Sequence, residues 1–141
     1  MSDEWYTPST LFEQLGLRFD LDVASPIDNK NHVPADRKYT IEDDGLAQPW
    51  IGRVWMNPPY SKPAPWVEKW LDHANGIALL PMAKSRWFNN LMETNAKFIL
   101  LPSNFKFTSP EGKPLSLMMG STLWALGESN IQAISQLGKV R

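Results

Sequence analysis

Two apolar runs, GIALLPM at 76–82 and AKFILLP at 96–102, constrain the fold more than any other feature of this sequence. Short runs of this kind are typical of strands buried on both faces, as in a parallel sheet that helices cover. The segments 61–75 and 85–95 have the apolar spacing of helices, and Trp66 lies on the apolar stripe of the first. This alternation predicts an α/β domain with a mainly parallel sheet flanked by helices.

The length and composition limit the classes of protein that the chain can belong to. The 141 residues fit a single domain over 1–141, without a separate recognition domain. Cysteine is absent and the two histidines lie far apart, so we expect no metal site. A net charge of −1 excludes a nucleic-acid coat that works by bulk charge, but it allows an enzyme with a local basic rim. Neither a membrane span nor a signal peptide is visible, so we expect a cytoplasmic protein that does not bind membranes.

The tetrapeptide NPPY, Asn57 to Tyr60, follows the apolar run RVWM at the end of a predicted strand. Ligands of α/β sheets bind at this end of the strands. Three interpretations of NPPY are open at this point: a rigid polar turn, a linear tag bound by strand addition, and a clamp for an amino group. A tag needs an exposed and flexible segment, whereas NPPY lies between a predicted strand and a predicted helix.

The clamp interpretation explains all four residues. The side-chain oxygen of Asn57 and the carbonyl of Pro58 can accept both protons of an exocyclic amine and so orient its lone pair. The prolines Pro58 and Pro59 restrict the backbone and remove competing donors. Tyr60 offers a flat face on which a base can stack. Because an amine inside a duplex cannot reach such a clamp, the target nucleotide must be flipped out.

A second wall for the base is expected from the loop 103–120, which carries aromatic and basic residues. Basic side chains near the same edge of the sheet are candidates for phosphate contacts. The full set of candidate substrate-binding residues is Tyr60, Lys62, Lys84, Arg86, Phe105, Phe107 and Lys113.

Four motifs give the sequence a family resemblance: EWYTP at 4–8, FDLDVAS at 19–25, DDGL at 43–46 and VWMNPPYS at 54–61. In their order and spacing they resemble the phage-type DNA N6-adenine methyltransferases, which are related to the Dam-like enzymes. The resemblance implies a compact class I, Rossmann-like fold and methyl transfer from S-adenosylmethionine to the N6 of adenine in DNA. It also implies a phage or prophage protein that acts in the host cytoplasm, with restriction-modification as one use.

The resemblance also implies which residues bind the cofactor. Asp22 stands where the first cofactor motif ends, near the methionine or ribose part, and Asp44 is a candidate partner of the ribose or adenine. Trp5 is expected to pack on the cofactor. One departure from the general pattern is the absence of G-x-G after the first strand, where ASPIDN stands at 24–29. The candidate cofactor-binding residues are Trp5, Thr7, Pro8, Asp22, Ala24, Asp44 and Asn57, and the candidate catalytic residues are Asn57, Pro58, Pro59 and Tyr60.

Alternatives to DNA methylation remain open in the sequence. Enzymes that methylate protein glutamine also contain NPPY, an RNA amine is a further possible target, and a catalytically silent DNA-binding module of the same fold is the third alternative. The target sequence, the preference for single or double strands and the oligomeric state cannot be read from these residues.

Overall fold

A computed structural model describes residues 7–27, 32–101, 107–108, 114–115 and 120–141. Helices and strands alternate over 54–100, as the apolar runs predict, whereas over 19–56 and 97–126 the described residues form successive strands with no helix between them. The helices are α1 (Ser9–Leu15), α2 (Ala64–His73), α3 (Arg86–Met92) and α4 (Glu128–Ser135). The strands are β1 (Phe19–Asp22), β2 (Ala35–Lys38), β3 (Val54–Met56), β4 (Gly76–Pro81), β5 (Lys97–Leu100), β6 (Phe107–Thr108), β7 (Pro114–Leu115) and β8 (Ser121–Leu126).

Six strands form one sheet in the order β2-β1-β3-β4-β8-β5, and β6 and β7 form a separate pair. The pairings β1–β2, β1–β3 and β3–β4 are parallel, whereas β8 is antiparallel to both β4 and β5. The α/β class is therefore confirmed, but the sheet is mixed rather than mainly parallel. An apolar run such as STLWAL shows that a strand is buried on both faces, and it carries no information about the direction of that strand.

The core has two parts. In one, Trp70 of α2 and Leu91 of α3 belong to the same cluster as Trp124 of the sheet. In the other, Phe12 of α1 and Ile134 of α4 pack with strand residues such as Trp55, Ile77 and Leu123. Because each central strand contributes to both clusters, its residues are apolar on both sides, which explains the continuous runs in the sequence.

Arg53 ties the start of β3 to two neighbouring elements at the amino edge of the sheet. Its Nε donates to Oδ1 of the buried Asn130 (2.7 Å), and its Nη2 donates to Oγ of Ser129 (3.0 Å) at the beginning of α4. Its Nη1 donates to the carbonyl of Arg18 (3.2 Å), just before β1. These bonds hold one end of β3, and NPPY follows at the other end.

Replacing Arg53 with Ala is expected to lower the free energy of unfolding by about 2–4 kcal/mol, because charged hydrogen bonds are lost and the buried side-chain oxygen of Asn130 loses this donor. Urea denaturation measures this change. The matched control is Arg18→Ala, which removes an exposed ion pair with Asp36 (2.7 Å) and should cost less than about 1 kcal/mol. Equal losses in the two variants would contradict the role of Arg53.

Candidate active site

A cavity of about 230 Å³ lies beyond the carboxyl ends of β1 and β3. The chain leaves β1 to form β2 on one side of it and returns to form β3 on the other side. Such a switch in strand order opens a crevice, which is where ligands of α/β sheets bind. The cavity is lined by Thr7, Asp22, Val23, Ala24, Ser25, Pro26, Val33, Thr40, Ile41, Asp44, Gly45, Trp55, Asn57, Pro59 and Trp66.

Asp22 is the last residue of β1, and the backbone pairing on both sides of the strand places it in the cavity. The amide of Tyr39 donates to the Asp22 carbonyl (2.8 Å), and the next residue, Val23, donates to the carbonyl of Trp55 (3.1 Å). The side chain of Asp22 is only 3% exposed. Its carboxylate accepts a hydrogen bond from the amide of Ala24 (3.4 Å), so the turn after β1 partly satisfies it.

Burial raises the pKa of Asp22 from its ordinary value of 3.8 to about 7. The Ala24 amide, a hydrogen bond with the Ser25 side chain and the charge of Lys38 oppose this rise without cancelling it. Near neutral pH the carboxyl is therefore close to its midpoint. A ligand that brings a positive charge or hydrogen-bond donors to Asp22 would favour the ionised form.

The raised pKa makes the stability of the fold depend on pH. A carboxyl with a higher pKa in the folded state takes up a proton on folding, so its contribution to stability falls as the pH rises from about 4 to about 7. Asp22→Asn is therefore expected to be more stable than wild type at pH 8, by roughly 2–4 kcal/mol, and nearly equal to it at pH 4. Chemical denaturation at both pH values measures the difference.

The exposed Asp36→Asn serves as the control for the pH series, since its carboxyl is on the surface in β2. A gain in Asp22→Asn that stayed constant across pH would contradict a buried, titrating carboxyl at this position.

A turn over 40–48 supplies part of the wall of the cavity. Thr40 donates from its amide to Oδ2 of Asp43 (2.8 Å), and the turn continues with the amide of Ala47 on the carbonyl of Asp44 (2.9 Å). Asp44 has a left-handed backbone with φ 56°, which aspartate tolerates better than most residues. Asp44 and Gly45 both line the cavity.

Gly45 must lack a side chain because of its neighbours. A Cβ at this position would lie 2.2 Å from the carbonyl oxygen of Val23 and 3.2 Å from the ring of Trp66. The DDGL turn can therefore approach the end of β1 only with glycine at its third position.

Gly45→Ala is expected to lower the free energy of unfolding by about 1–3 kcal/mol, because backbone must move to admit the methyl group. The matched control is Gly138→Ala, whose Cβ would lie 3.6 Å from Ile99, an ordinary contact. Thermal denaturation of both variants measures the difference, and similar melting temperatures would contradict the close approach of Gly45.

The NPPY residues occupy different positions relative to the cavity. Asn57 and Pro59 line it, while Pro58 is buried beside them. Tyr60 is not among the lining residues, and burial raises the pKa of its hydroxyl above the ordinary value. The burial of Pro58 and of the Tyr60 hydroxyl argues against an exposed, flexible tag.

The other predicted site residues divide into three groups. Thr7, Ala24 and the two aspartates line the cavity, but Pro8 does not and instead forms the N-cap of α1. Lys62, Lys84 and Arg86 are exposed and lie outside the lining. The remaining positions cannot be placed as side chains: Trp5, Phe105 and Lys113 fall outside the described residues, and only the backbone of Phe107, in β6, is described.

Several lining residues were not singled out in the sequence. Its helical spacing places Trp66 on an apolar stripe, but the residue is half-buried and lines the cavity. Val33, Thr40 and Ile41 come from segments without a motif, and Ile41 is 81% exposed at the rim. Val23, Ser25, Gly45 and Trp55 carry a signal, because each lies inside one of the four motifs.

The chemistry of the lining favours a ligand of particular character. Among the described residues that line the cavity, the charged side chains are Asp22 and Asp44, and none is basic. The rest of the wall is largely apolar and includes Trp55 and Trp66. The cavity therefore suits a partly apolar ligand with a positive charge or hydroxyl groups.

In the described part of the chain, no group of three or more His, Cys, Asp or Glu residues could hold a metal ion, and no helix has the length and apolar character needed to cross a bilayer.

These features define an α/β protein with a partly apolar cavity at the switch point of its sheet. The sequence profile of the family described as DNA N-6-adenine-methyltransferase (Dam) matches residues 1–116. The chain belongs to this family.

Two relatives carry the same description. The DNA N-6-adenine-methyltransferase of Escherichia phage T1 is 32% identical over an alignment of 113 residues that covers 72% of this chain and 46% of the relative. That of Haemophilus phage HP1 (strain HP1c1) is 33% identical over 116 residues, covering 72% of this chain and 63% of the relative. The chain thus spans about half of the first relative and less than two thirds of the second. No solved structure matches the chain with comparable significance.

Proposed function

We propose that the protein transfers a methyl group from S-adenosylmethionine to the N6 of an adenine that is flipped out of DNA. The observation that carries the proposal is that Asn57 of NPPY and Asp22 of the predicted cofactor motif line one cavity. Membership in the DNA N-6-adenine-methyltransferase family supports the reaction.

We also propose that the fold is a compact class I, Rossmann-like methyltransferase fold. Parallel strands β2, β1, β3 and β4, helices in both core clusters and a cavity at the β1/β3 switch point support it. In the described residues between β1 and β3 there is a strand, β2, and no helix. A binding loop of the G-x-G type is replaced by the short turn that follows Asp22.

The residues of the cavity fit S-adenosylmethionine. Asp22 and Asp44 can accept hydrogen bonds from its ammonium group or its ribose hydroxyls. The apolar wall with Trp66 suits its aromatic base. When bound, S-adenosylmethionine supplies a methyl group on a positively charged sulfur and a neutral thioether as leaving group.

Asn57 and Pro58 act on the nucleophile. The side-chain oxygen of Asn57 and the carbonyl of Pro58 accept the two N6 protons and turn the nitrogen lone pair toward the methyl group. With the donor bound, the N–C bond would form as the C–S bond breaks, the thioether would leave, and N6 would release one proton to water. No covalent link to the protein is needed, and Pro59 with its fixed φ keeps the acceptors in place.

The DNA would approach the carboxyl edge of the sheet. Lys62 follows NPPY, and Lys84 and Arg86 follow β4, which is parallel to β3, so these exposed basic residues lie at the edge that holds the cavity. There they can meet phosphates. Flipping the adenine costs a few kcal/mol, which stacking on an aromatic face such as that of Tyr60 would partly recover. The phage origin of both relatives supports action in a bacterial host cytoplasm.

Asn57→Ala is expected to lower methyl transfer by about 100-fold or more, because the amine loses an oriented acceptor. Binding of S-adenosylmethionine should be largely kept. Transfer of labelled methyl groups into plasmid DNA without adenine methylation measures the first quantity, and calorimetric titration measures the second.

The matched control is Asn89→Ala, which removes an exposed amide on α3 and should leave both quantities unchanged. Near-full activity in Asn57→Ala would refute the clamp. Label that enters protein or RNA rather than DNA would favour the glutamine or RNA alternatives, and wild-type protein that binds no S-adenosylmethionine would favour the silent DNA-binding module.

A further inference from the structure

A lysine and two tryptophans connect α2 to the turn that forms one wall of the cavity. Lys69, in the middle of α2, donates from Nζ to the carbonyl of Leu46 (2.7 Å) and also to that of Gln48. Its ammonium lies 5.2 Å from the ring centroid of Trp50. The lysine therefore binds two carbonyls and an aromatic face of one short segment.

The contacts of Trp50 extend this connection to the cavity. Its Nε1 donates to the carbonyl of Gly45 (2.9 Å), and its ring is stacked on that of Trp66, with centroids 6.3 Å apart and planes 25° apart. Gly45 and Trp66 both line the cavity, whereas Lys69 and Trp50 do not. Through Trp50, Lys69 is therefore connected to two residues that line the cavity, Gly45 and Trp66.

Helix α2 also begins directly after the NPPY loop. Asn57 and Pro59 line the cavity, and α2 starts at Ala64 a few residues later. Helix α2, which follows the amine clamp, therefore binds through Lys69 the turn that carries Asp44 and Gly45.

We infer that Lys69 is a positioning residue that holds the turn with Asp44 and Gly45 against α2 and so fixes the shape of the cavity wall that contacts the methyl donor. This inference rests on the proposed function, because it assigns that cavity to the methyl donor. A neutral side chain at 69 would leave the carbonyls of Leu46 and Gln48 without this donor, and the turn could then move relative to α2. Lys69 touches neither donor nor adenine, and it acts through the shape of the wall.

The test is Lys69→Met, which keeps the apolar stem over Trp50 and removes the charge and the donors. We expect the KM and the Kd for S-adenosylmethionine to rise by about 10-fold, the equivalent of one lost charged hydrogen bond. The kcat at saturating donor and the KM for DNA should stay near wild type, since Asn57 is untouched. Lys69→Arg, which restores a cation with several donors, should recover most of the donor affinity.

The matched control is Lys97→Met, an exposed lysine at the start of β5, which should change neither constant. If Lys69→Met does not fold, Trp50→Phe takes its place, because it removes only the bond to Gly45 while it keeps the aromatic ring. The same selective rise in the donor KM is expected of it.

Distinct results separate this inference from the proposed function. Wild-type protein that binds no S-adenosylmethionine overturns the proposed function, and this inference with it. Wild-type protein that binds the donor and a Lys69→Met variant that binds it equally well overturn the inference alone. Parallel losses in kcat, both KM values and melting temperature, without rescue by arginine, also overturn it, because they indicate a general structural role.

Discussion

The change in strand order at β1 is the constraint on which the rest of the structure depends. The chain forms β2 on one side of β1 and β3 on the other, so the connections leave the carboxyl ends of β1 and β3 in opposite directions. Between them lies a crevice, and the connection from β2 to β3 supplies part of its wall through the turn 40–48. Asp22 and Asn57 meet there, although they are far apart in sequence, because each follows one of these two strands.

The two edges of the sheet differ in how their polar groups are satisfied. At the amino edge, Arg53 binds Asn130, Ser129 and a backbone carbonyl, so its charge contributes to stability. At the carboxyl edge, the buried Asp22 has a raised pKa, and burial outweighs its hydrogen bonds. A fold that keeps such a group loses stability near neutral pH, and a ligand with complementary charge would recover it. This trade-off is typical of binding sites.

The buried strands and the position of NPPY at a strand end could be predicted from local residue types. Burial on both faces leaves continuous apolar runs, so β4 and β5 could be recognised from their residues alone. NPPY could be placed at a strand end because prolines cannot continue a strand. The direction of β8 could not be predicted, since an apolar strand can pair either way. Nor could the role of Trp66, because a helix residue with one face on the core and one on a cavity has the same spacing as a core residue.

The sequence by itself determined the α/β class, the family and the chemical character of NPPY and its neighbouring motifs, because each of these depends on residue types within a short segment. Only the tertiary structure decided that Asp22, Asp44, Asn57 and Trp66 share one cavity. It also decided that Lys69 binds a turn more than twenty residues earlier in the chain. Such contacts arise from the order and direction of strands, which depend on packing across the whole sheet and leave no local pattern in the residues that meet.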